Sequence, residues 1–414
     1  MKRKIVSIDL HTPQTLVVLR KMKAVFREVR MEKEERRSPE RQMITLSPEG
    51  LSRGRVLFSY IIGGFFLEPD MPISNRHTNI WQSMKMAETF VELGYEVDVI
   101  HWTNDHFVPT EPYAFFVDVR RNLERLAPLL NKDCVKIMHL DTAHILFHNA
   151  AEASRLLQLQ RRRGVTLKAR RYEIPNLGIE HADYATATGN DFVVSTFDYA
   201  QKKIFKLPSP CAISMGQPKK DWEHCRSHFL WFSSSGLVHK GLDLALEAFK
   251  ALPECHLTIC APMDGEKDFV AAYYKELYET PNITTLGWVD IDSEQFQEIA
   301  NACIAMIHLS CSEGGAPSIK TCMHAGLIPI VSYESGVDVH DFGFCLTDCS
   351  MDNLQEVVGH ISMLPSNELA EKTSKAWDFA RRNYTRENFS IEYRKVILEI
   401  IDTVKARESE RAPS

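Results

Sequence analysis

Ser310-Cys311-Ser312-Glu313-Gly314-Gly315-Ala316-Pro317-Ser318-Ile319-Lys320-Thr321-Cys322-Met323-His324-Ala325-Gly326 is the stretch from which the rest of this chain is read. A short apolar run, Ala305-Met306-Ile307-His308-Leu309, precedes it, and a second, Leu327 to Val331, follows. The pattern reads as strand, glycine turn, helix, strand. Gly314 and Gly315 free the backbone beside the Glu313 carboxylate. A helix start offers unpaired N–H groups and the positive end of a dipole, which suits a phosphate. The expectation is a pocket for a phosphorylated ligand, with Glu313 available to bind hydroxyls.

A second segment has the same grammar. Phe229-Leu230-Trp231-Phe232 is an apolar strand, followed by Ser233-Ser234-Ser235-Gly236-Leu237-Val238-His239-Lys240-Gly241 and a helix from Leu242 to Leu252. One Gly-rich strand-to-helix turn is common in parallel α/β proteins. Two in this order resemble the donor-binding domain of retaining GT-B glycosyltransferases of the family-4 type, over roughly residues 54–404. The resemblance implies an α/β protein of two Rossmann-like parallel-sheet domains facing a cleft, with C-terminal helices crossing back to the first domain.

Composition agrees with a globular chain of that kind. At 414 residues it exceeds one ordinary core. It is 44% hydrophobic and 25% charged, and its net charge of −6 argues against nucleic acid as a partner. Residues 1–53 carry thirteen Lys/Arg against seven Asp/Glu, a basic appendage on an acidic body. Within it Leu19, Met22, Val25, Phe26 and Val29 recur at helical spacing. That basic amphipathic stretch, residues 15–30, either makes weak contact with an anionic membrane surface or packs on protein. Ten cysteines without a Cys-x-x-Cys pair suit a reducing cytoplasm, peripheral at the inner membrane face if the stretch binds lipid. The longest nearly apolar run, Val56 to Leu67, is far short of the ~20 residues of a spanning helix.

The alternation of strands and helices divides the chain into a 1–53 extension, a first domain over 54–206, a linker over 207–226, a second domain over 227–365, C-terminal helices over 366–404 and a disordered tail over 405–414. In the first domain strands are expected at 56–61, 96–102, 135–140 and 184–188, a helix at 81–93, and another capped by Asn149 and ending at Arg163. In the second, strands are expected at 229–234, 256–261, 283–287, 305–310, 328–332 and 344–347, and the chain from Met351 reads as three helices.

The resemblance implies transfer of a sugar from a nucleotide-sugar to a saccharide or lipid-linked acceptor, with retention of anomeric configuration. Glu313, Lys240 and His139 are the catalytic candidates. Lys240 would neutralise the departing diphosphate, and His139, with His144 as the alternative, would touch the donor sugar. Donor-binding candidates are Gly63, Gly64, Asn190, Ser234, Ser235, Gly236, Gly287, Trp288, Val289, Gly314, Gly315, Ala316 and Thr321. Trp288 serves either the base or packing. His77, Thr78 and Asn79 are the acceptor candidates. Arg161, Arg162, Arg163, Lys168, Arg170 and Arg171 form a basic cluster, either for an anionic acceptor or as a favourable helix terminus.

Two departures stand out. The family usually has an arginine five residues before its Lys-Gly lysine, where this chain has Ser235. A second glutamate usually follows the first by eight residues, where this chain has Thr321. A catalytically weak sugar- or partner-binding protein of the same fold is therefore the alternative. Asp290 and Asp292 read as helix capping at Ser293 rather than as a metal pair, and no metal or cofactor is expected.

Overall fold

The computed structural model describes residues 39–68, 71, 73, 75, 78–211 and 215–411. His77, the stretch 15–30 and most of the basic extension lie outside the described residues. Two sheets organise the chain. The first holds β1 (Met43–Leu46), β2 (Arg55–Tyr60), β3 (Glu96–His101), β4 (Phe115–Asp118), β5 (Val135–Leu140), β6 (Tyr184–Ala187) and β7 (Lys203–Lys206), in the order β1-β3-β2-β4-β5-β6-β7. The second holds β8 (His228–Phe232), β9 (His256–Cys260), β10 (Ile283–Gly287), β11 (Ala305–His308), β12 (Ile328–Ser332) and β13 (Phe344–Leu346), in the order β10-β9-β8-β11-β12-β13. Every pairing is parallel except β1 with β3.

The central strands read as continuous apolar runs because helices cover both faces. Phe229, Leu230 and Trp231 in β8 and Ala305, Met306 and Ile307 in β11 are fully buried, and the two strands pair directly. The chain runs outward from β8 to β10, then returns to the other side of β8 as β11. That reversal opens a crevice beyond the carboxyl ends of β8 and β11, the place where such sheets bind ligands. The first sheet reverses in the same way between β2 and β4.

Several local readings are corrected. β1 lies in the stretch assigned to the extension, yet it adds an antiparallel edge to the first sheet. Thr45 donates to buried Asp98 at 2.6 Å, and Arg55 and Tyr113 donate to the same carboxylate. The four-residue strands β4 and β7 gave too short a pattern to be read. The helix Ile145–Arg163 starts before Asn149 and is capped by the His144 ring. Asn149 instead exchanges two hydrogen bonds with the Glu173 backbone. The linker contains a helix, Trp222–Cys225, capped by Asp221. The last helix runs Arg386–Arg411, through most of the stretch expected to be disordered.

That last helix crosses back. Phe389, Tyr393, Val396, Ile397, Ile400 and Ile401 are buried in the core of the first domain. Burying a large apolar side chain stabilises by about 1.5–3 kcal/mol, so this face anchors the helix firmly. Trp81 meets Phe389 edge-on at 6.1 Å, and Arg394 pairs with Glu92 at 3.2 Å. Among the described residues no helix is long and apolar enough to cross a membrane.

The basic cluster forms a second tie between the domains. Arg162 pairs with Asp243 at 2.6 Å and Glu247 at 2.9 Å, Arg163 with Glu276 at 2.9 Å, and Arg170 with Asp268 at 2.5 Å. Leu159, from the same helix, is buried in the core of the second domain. The charges of Arg162, Arg163 and Arg170 are thus directed at acids of the second domain, whereas the Arg171 side chain lies against Gly236 in the loop after β8.

Candidate functional site

The crevice is built by two loops pressed together. Gly241 adopts φ +79°, and a Cβ there would stand 2.7 Å from the Leu309 carbonyl oxygen. This contact sets the loop after β8 against the loop after β11. His239 reinforces it: Nε2–H donates to the Ser312 carbonyl at 2.6 Å, and Nδ1 lies 3.5 Å from Cys311 Sγ. Burial pulls the His239 pKa down to about 3, so the ring is neutral.

Lys240 and Glu313 meet across this seam, Nζ to Oε1, at 3.9 Å. The Lys240 side chain is 8% exposed and that of Glu313 14%, so neither charge is well hydrated. Lys240 Nζ also donates to Ser234 Oγ at 2.9 Å, and Ser310 Oγ donates to Glu313 Oε1 at 3.3 Å. Burial pulls Lys240 down, and Glu313 holds it up. Burial pushes Glu313 up, but Lys240 and then Arg171 outweigh it and hold the carboxyl at about 2. Glu313 is therefore an ionised acceptor of hydrogen bonds. His308, from β11, lies 4.0 Å from it, and burial brings its pKa down to about 4.

The glycine turn is held from behind. The N–H of Glu313 donates to the Glu334 carbonyl at 2.9 Å, and that of Ala316 to the Ser335 carbonyl at 3.2 Å. The N–H groups of Gly314 and Gly315 have no hydrogen-bond partner among the described residues, and both glycines are buried beneath the backbone of Asp141, Thr188 and Gly336. Gly315 adopts φ +109°.

The first domain closes onto this turn. A Cβ on Gly314 would stand 2.1 Å from the Asp141 carbonyl oxygen, and one on Gly315 would stand 2.6 Å from that of Thr188. Thr188 Oγ1 donates to the Gly314 carbonyl at 3.1 Å. Asn190 caps its own helix and donates to the Tyr333 carbonyl at 3.2 Å, bridging the domains.

Arg171 is a residue the sequence reading did not single out for this site. It reaches over from the first domain, and a Cβ on Gly236 would stand 2.7 Å from its Cγ. Its charge is felt by both Glu313 and Lys240. Its Nε is buried with no hydrogen-bond partner among the described residues. Its backbone is fixed at both ends: the N–H donates to Glu152 at 2.8 Å, and the carbonyl accepts from His148 Nε2 at 2.7 Å. His148 in turn reaches Ser312 Oγ at 3.1 Å. Gly236, next to Ser235, is thus approached by an arginine from a segment 64 positions before Ser235 in the chain.

Other candidates fare differently. His139 is fully buried, with Nε2 on Gln82 and Nδ1 on Thr186, both at 2.8 Å, and burial lowers its pKa to about 4. No ring nitrogen is left for a ligand, so His139 holds the first domain's interior. His144 is occupied at the helix cap and with Tyr199. The first-domain histidine that reaches the loops is His148. The N–H of Gly236, one of the donor-binding candidates, and that of Leu237 beside it both donate to buried Glu266. Ser234 and Ser235 are exposed at the loop's tip.

Gly64 packs against Met84, whereas Gly63 faces open space. Thr78 and Asn79 form the first turn of the helix Thr78–Glu92. Gly287 adopts φ +78° at the end of edge strand β10; Trp288 is 51% exposed, whereas Val289 is core. Thr321 is buried with Oγ1 at 3.6 Å from Cys211 Sγ, and Ala316 is buried in the same core. Lys320 donates to Ser209 and to the Gly315 carbonyl, supporting the glycine turn from within, and burial lowers its pKa to about 7. Ser293 caps the helix Glu294–Ala302, and Asp290 accepts from the Asp292 N–H.

No protein-family model and no curated sequence matches the chain. Solved structures do. Sucrose-phosphate synthase from Thermosynechococcus elongatus aligns with a TM-score of 0.60 at 11% identity, covering 85% of this chain and 100% of that one. HepE from Anabaena, in complex with UDP and glucose, gives 0.51 at 13% identity, covering 84% and 100%. WaaG, a glycosyltransferase involved in lipopolysaccharide biosynthesis, gives 0.51 at 14%, covering 83% and 99%. Of TarM from S. aureus the chain spans 54%, at a TM-score of 0.48. Two parallel Rossmann-like sheets, a crevice at both reversals and a last helix that returns to the first domain make this chain a member of the GT-B fold shared by those glycosyltransferases.

Proposed function

We propose that this protein transfers a sugar from a nucleotide-sugar to an acceptor hydroxyl, with retention of anomeric configuration. The observation that carries the proposal is the Lys240–Glu313 pair at the sheet reversal, with Arg171 beside it. Bond breaking at the anomeric carbon leaves negative charge on the diphosphate. Lys240, Arg171 and the Gly314 and Gly315 N–H groups offer positive charge and donors to it. Glu313, ionised at about 2, accepts hydrogen bonds from the sugar hydroxyls. In the front-face course that the resemblance implies, the departing phosphate takes the acceptor's proton. Trp288 at the end of β10 is the surface offered to the base. Entry of the donor requires the Asp141–Thr142 backbone to move off Gly314.

UDP is the first nucleotide to test, since the HepE structure holds it. Thermal shift with UDP and a panel of UDP-sugars, followed by transfer and hydrolysis assays, decides the matter. A ligand at 100 times its dissociation constant adds about 2.7 kcal/mol of stability. Positive charge comes from side chains here, so turnover is expected to persist in EDTA. No stabilisation by any nucleotide or nucleotide-sugar would overturn the proposal.

A second reading, a nucleotide-sugar-binding protein with little turnover, is favoured by one observation. Glu266 already fills the Gly236 and Leu237 donors that a diphosphate would use. Binding without transfer in the same assays would select it.

A further inference from the structure

We propose that a pocket at the carboxyl end of the first sheet binds an aromatic alcohol, a planar apolar molecule bearing a hydroxyl, as the acceptor. The proposal rests on the transfer reading above for the word acceptor, and on the pocket alone for the ligand class. The pocket has a volume of about 300 Å³, at the small end of the range for small-molecule sites. It belongs wholly to the first domain and lies beyond β3, β4 and β5.

Its body is apolar. Trp102, Met138, Leu140, Ile174, Ile179 and Phe197 line it. A saccharide presents hydroxyls on every side, and against these walls most would lose water without gaining a partner. A flat ring system instead matches a lining that contains indole, phenyl and guanidinium planes. Arg120 and Arg121 lie 5.7 and 5.6 Å from the Trp102 ring centre and fix its orientation. Ile174 and Tyr172 stand at the edge, 60% and 61% exposed.

Three of the charged lining residues meet at one place. Arg120 holds Asp141 Oδ2 at 2.9 Å with one arm and Glu173 at 2.8 Å with the other. The second oxygen, Asp141 Oδ1, is buried and has no hydrogen-bond partner among the described residues. An unmet buried acceptor costs about 1–3 kcal/mol, and a ligand hydroxyl would recover it. The backbone of the same Asp141 abuts Gly314. A hydroxyl held there is bound by the residue whose backbone meets the turn assigned to the donor.

The experiment is calorimetric titration of the full chain, without donor, using 2-naphthol, farnesol and methyl α-glucoside. Saturable binding of 2-naphthol is expected, with the glucoside and farnesol weaker by at least about tenfold. Ile174→Asp places a charge at an exposed rim position, so the fold is retained and 2-naphthol affinity falls about tenfold or more. The same variant keeps the wild-type thermal shift with UDP. Trp102→Ala weakens 2-naphthol in the same direction. Absent 2-naphthol binding, affinity indifferent to both substitutions, or farnesol or the glucoside binding as tightly would each overturn the proposal. None of these bears on the donor site. Conversely, a wild-type chain that binds 2-naphthol but no nucleotide would remove the transfer reading and leave an aromatic-alcohol site.

Discussion

The loops after β8 and β11 and the pocket beyond β3 to β5 are two answers to one problem, placing a ligand at the reversal of a parallel sheet. The first is charged and dense. Lys240, Glu313 and the neutral rings of His239 and His308 occupy a seam where little side chain meets water. The second is apolar and roomy, with charge confined to Arg120, Arg121, Asp141 and Glu173. The difference shows how each is made. The charged seam is written in two short segments of sequence. The pocket draws on residues from 102 to 197 that become neighbours only when the sheet forms.

Their contact is the place to break this arrangement. Gly314→Val would drive a side chain into the Asp141 carbonyl, where even a Cβ would stand at 2.1 Å. The Asp141–Thr142 backbone would then have to stand off the turn permanently, not only while the donor enters. Loss of transfer by more than ~10³-fold is expected, the largest effect here, in a protein that still melts cooperatively. Near-normal turnover in this variant would mean that the two regions need not meet.

Lys240→Ala tests the charged seam alone. Removing one charge-stabilising contact of this kind typically lowers turnover by ~10²–10³-fold. It also leaves Glu313 without its closest cation, so the carboxyl pKa should rise from about 2. Turnover within a few-fold of wild type would remove Lys240 from the mechanism.

Arg171→Ala sharpens the comparison because Arg171 belongs to the first domain but acts on the seam. Donor affinity should fall about tenfold, or roughly 1.4 kcal/mol. The double variant Arg171→Ala, Ser235→Arg returns the cation from the other side of the crevice. Partial recovery of donor affinity is expected, and a purely structural role for Arg171 would show none.

The last expected effect is on folding rather than turnover, a dependence of stability on pH. His139 and His308 are held at about 4 and His239 at about 3, all below the usual histidine value of 6.5. Unfolding lets each take up a proton below about 6.5. Their contribution is therefore fully present above that pH and is lost as pH falls toward 4 and then 3. Each proton taken up lowers stability by about 1.4 kcal/mol per pH unit. Denaturant midpoints measured from pH 7 to 4 should fall along this slope, and His139→Gln should flatten it. A flat profile would mean that these rings are hydrated in the folded protein.

Legibility in the sequence followed the range of the interactions. Apolar runs such as Phe229–Phe232 and Ala305–Leu309, each followed by glycine, were readable because local pattern and turn chemistry suffice for them. Strand β1 was not: Met43–Leu46 has no pattern of its own, and its place depends on Thr45 finding Asp98 fifty-three residues away. Likewise nothing local announces that Glu266 would reach back to Gly236, or that His139 would be sealed by Gln82 and Thr186.

By itself, then, the sequence determined two parallel-sheet domains and the placing of Lys240 and Glu313 at two strand ends. Alternation of apolar runs with helices admits little else, and a strand end is a local property. Tertiary structure alone decided which cation joins them. Arg162, Arg163 and Arg170 look equivalent to Arg171 in the sequence, but folding pairs those three with acids of the second domain and leaves Arg171 over Gly236. A charge's role depends on what it faces at a few ångströms, and that distance is set by packing between domains.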